Sequence, residues 1–417
     1  MRLKIANKDI SAYLMLILGV GLFLRCLSNV FIYPLFIFAV IVFIFAQFKT
    51  CLTLLFFLFP FANIIKLQPG QISLFTFLFV IFAVRVVLRK GALKRRFLFC
   101  VVLFAIYAFM FSGFGKFILI ATMVCGFIMV HETCDSDDYD FKEVLFAFCF
   151  GLILSSTIGL FRESLPIVDS YITAISHKVD QGEYVERFLG LNSNPNYYSM
   201  DISVVLSCLA VIMIKEQKQG VSALLFVVLT VFGLMSVSKS FLISLIILFA
   251  LLVGNGIKKG GKSFLKILFA FILIFLVVYY FAHDSIDTYF LRFDYSGSGD
   301  ISEITTGRSD IWFKYLKAIV YDLKTLFLGH GVGSKILGYK AAHNTYIEGL
   351  YGLGLLGMLM FLIVMHTAIT VKLQKYKYTN FIPILILLIR FFGIGLFFND
   401  ALWYYLMISC LLYKSDV

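Results

Sequence analysis

Between residues 32 and 47 the chain reads IYPLFIFAVIVFIFAQ, a run without one charged side chain. A second run, from Leu265 to Phe281, carries a single charge, Lys266. As helices, such runs are suited to the ~30 Å hydrocarbon layer of a membrane. A helix also satisfies its own backbone hydrogen bonds where water is absent. The fold is therefore predicted to be built from membrane-spanning helices.

The composition extends this prediction to the whole chain. Of 417 residues, 61% are hydrophobic and 14% are charged, whereas a typical soluble domain carries about 25% charged residues. Apolar side chains in such excess must face lipid, which excludes a soluble globular protein. The net charge of +12 lies in short basic clusters between apolar runs. That pattern sets membrane orientation and does not indicate a nucleic-acid partner.

Apolar length, with breaks at charges, glycine, proline and asparagine, predicts fourteen spans, or twelve if short hairpins re-enter the membrane. They are placed at 11–27, 30–47, 50–65, 71–88, 97–112, 117–131, 143–161, 197–214, 221–237, 240–254, 264–282, 344–366, 381–397 and 400–413. The predicted fold class is an all-α, polytopic transmembrane bundle of about 12–14 spans, with a large outward loop that carries short helices.

The predicted organisation has five parts. N-terminal helices occupy 1–161, a first outward loop 162–196, central helices 197–282, a large outward loop 283–342 and C-terminal helices 343–417. We see no internal repeat beyond what apolar helices share, and the polar residues concentrate in the second half. This asymmetry predicts a site near the second outward loop.

Basic clusters beside the spans predict the orientation. With a cytoplasmic amino terminus, the clusters Arg89–Arg96, Lys215–Lys218, Lys258–Lys266 and Lys372–Lys377 all fall on the cytoplasmic side. Both termini are then cytoplasmic, and the long loops face outward, as expected of a multi-pass protein of the cell inner (plasma) membrane. The acidic stretch His131–Glu143 argues weakly against this scheme, because it lands inside with one lysine; acidic residues carry little topological weight.

Residues that could carry chemistry concentrate where the second long loop enters a helix. Arg308 and Trp312 lie in this loop, and His343, Asn344 and Glu348 stand at the start of the next span. Ionisable groups cost free energy at membrane depth, so a functional role is their default interpretation. We therefore take this segment as the candidate site.

Each ionisable residue of this segment has a simpler alternative. Arg308 offers a planar fork of donors suited to phosphate, or is one surface arginine in a long loop. His343 can titrate near neutrality and act as a base or hold an anion, whereas a helix N-cap is the alternative for His343 or Asn344. Glu348 is predicted to be either the buried partner of an arginine or an activating base.

Two further cations lie at predicted outward turns. Arg187 precedes an Asn-Pro-Asn turn that ends at Asn196, and Lys239 stands between two serines. The alternatives are a turn and cap formed by the Asn-Pro-Asn segment and a lysine that extends its ammonium to the membrane surface. Together with Arg308, these cations predict a clamp for a diphosphate, whose charge must be balanced in a low-dielectric setting.

Other motifs point away from metal or nucleotide chemistry. The eight cysteines are scattered without CxxC spacing, so neither a disulfide nor a metal site is predicted. The acidic run Asp135–Asp138 resembles carboxylates that bind a metal-bound sugar nucleotide, but a short solvated turn is the preferred interpretation. Gly349, Gly352, Gly354 and Gly357 are assigned to close helix packing.

The order of these motifs resembles a known family. A Gly-Arg-x-x-x-Trp segment from Gly307, a Gly-x-Gly turn from Gly329, and a His-Asn-x-Tyr segment from His343 that leads into Gly-x-x-Gly resemble the O-antigen polymerase and O-antigen ligase superfamily of membrane glycosyltransferases. The segments Arg187–Asn196 and Ser238–Ser240 also resemble its pattern, except that the family usually has arginine where this chain has lysine. The motifs cover about the second half of the chain.

The resemblance implies an activity and a set of roles. A glycan would be transferred, without metal or cofactor and with inversion, from an undecaprenyl-diphosphate carrier to an acceptor sugar on the outer side of the membrane. Arg187 and Arg308 would hold the diphosphate. Lys239 would be a third cation, although a lysine loses the bidentate geometry. His343 would activate the acceptor hydroxyl or contact the diphosphate.

The expected partners are undecaprenyl-diphosphate-linked oligosaccharides, membrane lipid and a chain-length regulator protein, which such polymerases commonly need. A repeat-unit polymerase for O-antigen or capsule is the first choice. A ligase that moves finished glycan to lipid A core is the alternative, because it shares the donor. A flippase or secondary transporter is the third hypothesis, although it should carry ionisable residues in the middle of several helices.

Overall fold

The computed structural model describes residues 7–90, 93–172, 175–178, 184–215, 220–258, 307–336, 341–369 and 378–414, with the single positions 272, 276, 279, 280 and 289. Within these residues the chain forms sixteen α-helices and one two-stranded antiparallel sheet. The prediction of an all-α helical bundle is confirmed.

The first half of the chain is a series of apolar helices: α1 (Asn7–Leu27), α2 (Ile32–Phe45), α3 (Phe48–Leu58), α4 (Leu74–Lys90), α5 (Arg95–Ser112), α6 (Phe117–Asp135) and α7 (Phe141–Leu160). The first predicted outward loop then holds a short helix, α8 (Pro166–Tyr171), and a hairpin of β1 (Ile175–Lys178) and β2 (Tyr184–Arg187). In this hairpin Ile175 pairs with Arg187. The sequence prediction did not include these strands.

The second half contains both long and short helices. They are α9 (Pro195–Lys215), α10 (Gly220–Met235), α11 (Lys239–Lys258), α12 (Arg308–Tyr321), α13 (Leu323–Leu328), α14 (Thr345–Ala368), α15 (Ile382–Phe391) and α16 (Ala401–Lys414). The described part of the large loop carries α12 and α13, so the prediction of short helices in that loop is confirmed.

The chain is a membrane protein by the length and composition of its helices. Seven described helices are long and apolar enough to cross a membrane, namely α1, α5, α6, α7, α9, α11 and α14. Shorter apolar helical stretches lie at Asn29–Phe45, Phe48–Phe61, Gly220–Met235, Thr379–Phe391 and Ala401–Tyr413. Every predicted span within the described residues coincides with one of these stretches or with α4. The predicted span 264–282 lies outside the described residues, except at four helical positions.

Two predicted spans end earlier than expected. The span predicted at 50–65 ends with a 3₁₀ turn at Phe59–Phe61, and the span predicted at 381–397 ends at Phe391. Hydropathy counts the apolar residues that follow but not their backbone preferences; Gly393 and Gly395 weaken any continuation of the second helix. The residues that follow these two helices form the α3–α4 loop (62–73) and the α15–α16 loop (392–400).

Helix α9 lies at the centre of the bundle. Its span is 89% buried inside the protein, whereas the spans of α1 and α5 are each 28% buried and leave their apolar side chains facing outward. Helices α7, α10, α11 and α15 pack against α9. Small residues permit close contacts elsewhere, since a Cβ at Gly126 would overlap the ring of Trp403. The side chains that α9 carries at its first turns are therefore enclosed by other helices.

Contacts between loops define two ends of the bundle. At one end, Arg25 donates to the carbonyls of Ile64 (3.2 Å) and Lys66 (2.9 Å), and the Val332 N–H donates to Ser112 Oγ at 2.7 Å. We call this the site end. At the opposite end, three ion pairs join other connections: Lys49–Glu143, Arg89–Asp138 and Lys94–Asp135. The acidic stretch that argued against the orientation scheme thus lies beside the basic cluster with which the scheme grouped it.

Candidate functional site

A buried arginine near the end of α15 organises the site end. Arg390 is 1% exposed, and its guanidinium donates to Ser199 Oγ at 2.6 Å, Ser240 Oγ at 2.7 Å and the Asn196 carbonyl at 3.0 Å. Its Nε lies 3.4 Å from the sulfur of Met200. Sequence reasoning missed this residue, although a lone arginine inside the apolar run that forms α15 is the signal that intramembrane charges usually provide.

Asn196 connects this arginine to Arg187. Arg187 is 2% exposed and donates through Nη2 to Asn196 Oδ1 at 3.2 Å and through Nε to the Ser236 carbonyl at 2.8 Å. Ser238 Oγ donates to the same amide oxygen at 3.1 Å. The cap that the Asn-Pro-Asn segment predicted is also present, since the Asn194 side chain accepts the N–H of Asn196 at 2.8 Å.

Arg308 approaches the same group of residues from α12. Its Nη1 donates to the Gly393 carbonyl at 2.6 Å, and the Gly393 N–H donates to the Arg390 carbonyl at 2.9 Å. Arg187, Arg308 and Arg390, from three separate elements, are thus linked through Asn196 and Gly393. We call these three residues the arginine cluster. Two of the three were predicted as site residues.

Lys239 begins α11 beside this cluster. The residues on either side of it, Ser238 and Ser240, contact Asn196 and Arg390 respectively, and their hydroxyls lie 3.2 Å apart. The lysine is only partly buried. The Ser-Lys-Ser turn therefore lies at the cluster, as the sequence pattern predicted.

His343 stands just before α14 with a left-handed backbone, at a φ of +51°. Such a conformation is uncommon for a residue other than glycine and is held here by its neighbours. Asn344 caps α14 by accepting the N–H groups of Tyr346 (3.0 Å) and Ile347 (3.1 Å), so the N-cap alternative holds for Asn344 and not for His343. Trp312 Nε1 donates to the Ala342 carbonyl at 2.9 Å and fixes the segment from the other side.

A threonine ties the start of α14 to the loop that Arg308 contacts. Thr345 Oγ1 donates to the Ile394 carbonyl at 2.7 Å and accepts the Leu396 N–H at 3.1 Å. His343, two residues before Thr345, is therefore held near the α15–α16 loop. That loop joins the histidine segment to the arginine cluster.

Glu348 turns toward a different side of the same loop. A Cβ at Gly395 would overlap its carboxylate, so a larger residue there would displace the Glu348 side chain. The carboxylate accepts a hydrogen bond from the backbone of His343 and is attracted by the positive charge of Lys335. The predicted arginine partner is not found among its described interactions; the nearby cation is a lysine, because the arginines lie on the other side of the loop.

The carboxylate of Glu348 lines a cavity of about 520 Å³ at the site end. Its walls come from the α3–α4 loop, the start of α9, the segments around Lys335 and Ala342, and the α15–α16 loop. As far as the structure describes the lining, Arg187, Arg308, Arg390 and His343 do not belong to it. The predicted site is thus divided by the α15–α16 loop into an arginine side and a cavity side.

Two charged groups of the cavity lie in loops and are strongly affected by burial. Burial raises the pKa of the Asp400 carboxyl above its ordinary value, while a hydrogen bond from Thr76 Oγ1 (3.4 Å) offsets part of this effect. Burial also lowers the pKa of Lys66, which Asp400 partly restores through its negative charge. Sequence analysis did not single out either residue, because the α3–α4 loop was interpreted mainly as the end of a span.

The predicted Gly-x-Gly turn has a packing role. The N–H groups of His330 and Gly331 donate at 2.8 Å to the carbonyls of Tyr351 and Gly352 in α14. This pairing occurs where α14 is kinked at Gly354, whose φ of +63° favours glycine. The prediction that the glycines of α14 permit close packing is confirmed, since a Cβ at any of Gly349, Gly352, Gly354 or Gly357 would crowd its neighbours.

Within the described ranges, no group of three or more histidine, cysteine, aspartate or glutamate side chains is arranged to hold a metal ion. A comparison with protein-family models finds no match for the chain, and a comparison with curated proteins finds no similar sequence. The resemblance to O-antigen polymerases and ligases therefore rests on the sequence motifs and on where the folded chain brings them.

Proposed function

We propose that this membrane protein is a glycosyltransferase that uses a lipid-diphosphate donor, and specifically a polysaccharide repeat-unit polymerase. The observation that carries the proposal is the convergence of Arg187, Arg308 and Arg390 around Asn196 and Gly393 at one end of the bundle. Fixed cations stabilise the negative charge that develops on a diphosphate as it leaves. A site at the end of the bundle also suits a donor whose lipid tail stays in the bilayer.

The electrostatics of the cluster support an anionic ligand. The hydrogen bonds of Arg390 go to hydroxyl, carbonyl and thioether groups, none of which neutralises its charge. Arg308 adds a second guanidinium that is only partly buried and donates to a carbonyl. Two neighbouring guanidiniums repel each other, and an anion between the helices would relieve this repulsion. Arg308 and Lys239, as the more exposed cations, would contact the diphosphate, while Arg390 would position their loops.

The proposed reaction forms one bond and breaks one. The acceptor hydroxyl attacks the anomeric carbon of the donor sugar, and the bond from that carbon to the diphosphate oxygen breaks. The leaving diphosphate keeps the electron pair, and the hydroxyl proton passes to a base. His343 and Glu348 are the candidates for that base, since both lie at the start of α14 next to the α15–α16 loop.

The placement of the ionisable residues favours an enzyme over a transporter. Glu348 is the fourth residue of α14, Arg390 the last but one of α15, and Asp201 lies two turns from the start of α9. All three are therefore near helix ends at the site end. A transporter should instead place such groups at the middle of several helices.

Chain extension by purified protein tests the proposal. With undecaprenyl-diphosphate-linked repeat units as the only substrate, the unmodified protein should produce a ladder of longer glycans. Arg308→Ala and His343→Ala should each reduce extension at least about 100-fold, because each removes a charge or a proton acceptor used in the transition state. Lys324→Ala, which removes an exposed cation from α13, is the matched control and should extend normally.

Chain extension, together with a transport measurement in vesicles, distinguishes a polymerase from a ligase and from a flippase. Normal ladders from both Arg308→Ala and His343→Ala, with the proteins folded, would contradict the enzymatic proposal. A strict requirement for lipid A core as the acceptor would identify a ligase. Movement of lipid-linked units across a vesicle membrane without extension would identify a flippase.

A further inference from the structure

The cavity beside Glu348 has a composition unlike that of the arginine cluster. At about 520 Å³, it falls within the roughly 300–1,000 Å³ range of small-molecule sites. Its described lining includes two lysines, Lys66 and Lys335, and three acids, Asp201, Glu348 and Asp400. Each lysine interacts with an acid of the same lining, Lys66 with Asp400 and Lys335 with Glu348, so neither lysine is left to balance the charge of an anionic ligand. A diphosphate therefore belongs on the arginine side of the α15–α16 loop and not in this space.

The polar groups of the cavity form a connected set. Lys66 Nζ donates to Asn63 Oδ1 at 3.0 Å, and Asn63 Nδ2 donates to Asn192 Oδ1 at 3.4 Å. Asn192 Nδ2 donates in turn to Asp201 Oδ2 at 3.0 Å, and Tyr405 donates to the other oxygen of this carboxylate. These bonds hold amides and carboxylates in fixed positions around the cavity. Pre-positioned polar groups lower the cost of ordering a site when a ligand binds.

Aromatic side chains line the same space. Phe59, Tyr197, Tyr315 and Phe398 contribute apolar surface next to the amides and carboxylates. A saccharide ring needs both kinds of surface, because its hydroxyls donate and accept hydrogen bonds while its C–H faces are apolar. Ligand sites that combine aromatic walls with a few placed polar groups are typical of small-molecule recognition. A purely apolar lipid tail would offer no hydrogen bonds to the amides and carboxylates of this lining.

The cavity and the arginine cluster meet at two points of the chain. The Gly393 carbonyl accepts from Arg308, and Gly395, two residues on, lines the cavity; two residues span at most about 7 Å. On α9, Asn196 contacts the arginine cluster, whereas the next residue, Tyr197, lines the cavity. The Tyr197 hydroxyl donates to the Gly395 carbonyl at 2.7 Å. Ligands on the two sides would therefore lie close to each other and to the start of α14.

We propose that this cavity is the acceptor site and binds the terminal part of a saccharide that carries no acidic group, with the Glu348 carboxylate directed at its reacting hydroxyl. The assignment of this saccharide as an acceptor rests on the proposed glycosyltransferase function. The saccharide binding itself does not. The donor diphosphate and the acceptor sugar occupy opposite sides of the α15–α16 loop.

The test measures saccharide binding separately from catalysis. The probe is the repeat-unit oligosaccharide, released from its carrier and carrying a fluorescent tag at the reducing end, where the diphosphate was attached. Fluorescence polarisation with the full-length protein gives its affinity. Ser193→Trp and Ile72→Trp place a large ring at two exposed positions that line the cavity. Ser164→Trp, at an exposed position outside the described lining, is the matched control.

We expect Ser193→Trp and Ile72→Trp to weaken probe binding at least about tenfold, with Ser164→Trp unchanged. Binding of undecaprenyl diphosphate alone, followed by native mass spectrometry, should survive both cavity substitutions and be lost in Arg308→Ala. If the unmodified protein fails to bind the probe, or all three tryptophan variants bind it equally, the cavity proposal is overturned even when glycan ladders form. If the probe binds as expected but no ladder forms, the saccharide site stands and the glycosyltransferase proposal fails.

Discussion

The described basic side chains have different partners at the two ends of the bundle. At the opposite end, described cations pair with carboxylates, as in Lys49–Glu143 (2.7 Å), Lys94–Asp135 (2.8 Å) and Arg89–Asp138 (2.9 Å). At the site end, the arginine cluster donates to amide, hydroxyl and backbone oxygens. An ion pair between Arg162 and Glu186 in the first loop is an exception.

This difference separates two uses of basic residues in a membrane protein. A cation that is paired with a carboxylate attracts a further anion only weakly, because the pair is neutral. When the pair is exposed, it also adds little stability. A guanidinium held by neutral dipoles keeps its full charge, at a cost in desolvation that other interactions must offset. Arg89 and Lys94 belong to the first kind. Arg390, whose described hydrogen bonds go to neutral groups, belongs to the second.

The largest expected effect comes from Arg390→Ala. The substitution removes three hydrogen bonds from a charged donor, to Ser199, Ser240 and Asn196, each worth about 1.5–3 kcal/mol. We expect a large fall in the unfolding temperature in detergent and loss of glycan extension. Arg25→Ala, at another fully buried arginine of the site end, is the control for stability alone. Equal residual activity per folded molecule in the two variants would show that the cluster has no special role.

Arg308→Lys tests whether the cluster acts through charge alone. The lysine keeps the positive charge but loses the planar fork of donors, one of which reaches the Gly393 carbonyl. Losing one charge-assisted hydrogen bond, about 1.5 kcal/mol, should slow extension about tenfold. Steady-state rates with lipid-linked units measure this effect. A rate equal to that of the unmodified protein would assign Arg308 a purely electrostatic role.

The pH dependence of thermal stability distinguishes a buried aspartate, Asp400, from an exposed one, Asp322. Because burial raises the pKa of Asp400, its stabilising contribution is present at low pH and is lost as pH rises through its folded-state pKa. Asp400→Asn should therefore gain thermal stability relative to the unmodified protein as pH rises above about 4, the ordinary pKa range of an aspartate. Exposed Asp322 has a pKa lowered by the hydroxyl of Thr325. Its stabilising contribution is lost as pH falls, so Asp322→Asn should lose relative stability as pH rises toward about 5 and then stay constant. Parallel slopes for the two variants would contradict this assignment.

The smallest effect is expected at the opposite end. Arg89→Ala and Lys94→Ala each remove one arm of an exposed ion pair, so each should change the free energy of unfolding by less than about 1 kcal/mol. Glycan extension should be unchanged in both. A loss of activity without a loss of protein from the membrane would show that the two ends are functionally coupled, which the comparison does not predict.

Much of the fold could be predicted because membrane helices are determined by local properties. The run at 32–47 has no alternative to a helix in a membrane, whatever the rest of the chain does. The helix ends were less predictable. Phe391–Phe398 looks like the continuation of a span by hydropathy, yet the structure ends α15 at Phe391 and uses the residues beyond it to bridge Arg308 and Thr345.

The candidate site was predicted in part, and the reason differs from residue to residue. Arg187, Asn196 and Arg308 were recognised from motifs, and the structure links them. Asn344 was grouped with the site but serves as the cap of α14, a role that its residue type permits equally well. Arg390 was missed because its position inside an apolar run does not reveal which residues of other helices it contacts; its partners lie on α9 and at the start of α11.

The sequence alone determined that this chain enters a membrane, where its helices lie, and which of its loops carry uncommon polar residues. These properties follow from the cost of exposing charge or backbone to lipid, which is counted residue by residue. Only the tertiary structure decided which cations meet and that a cavity with more acids than lysines lies behind the α15–α16 loop. Such contacts join residues as distant as Asn196 and Arg390, and they depend on how whole helices pack.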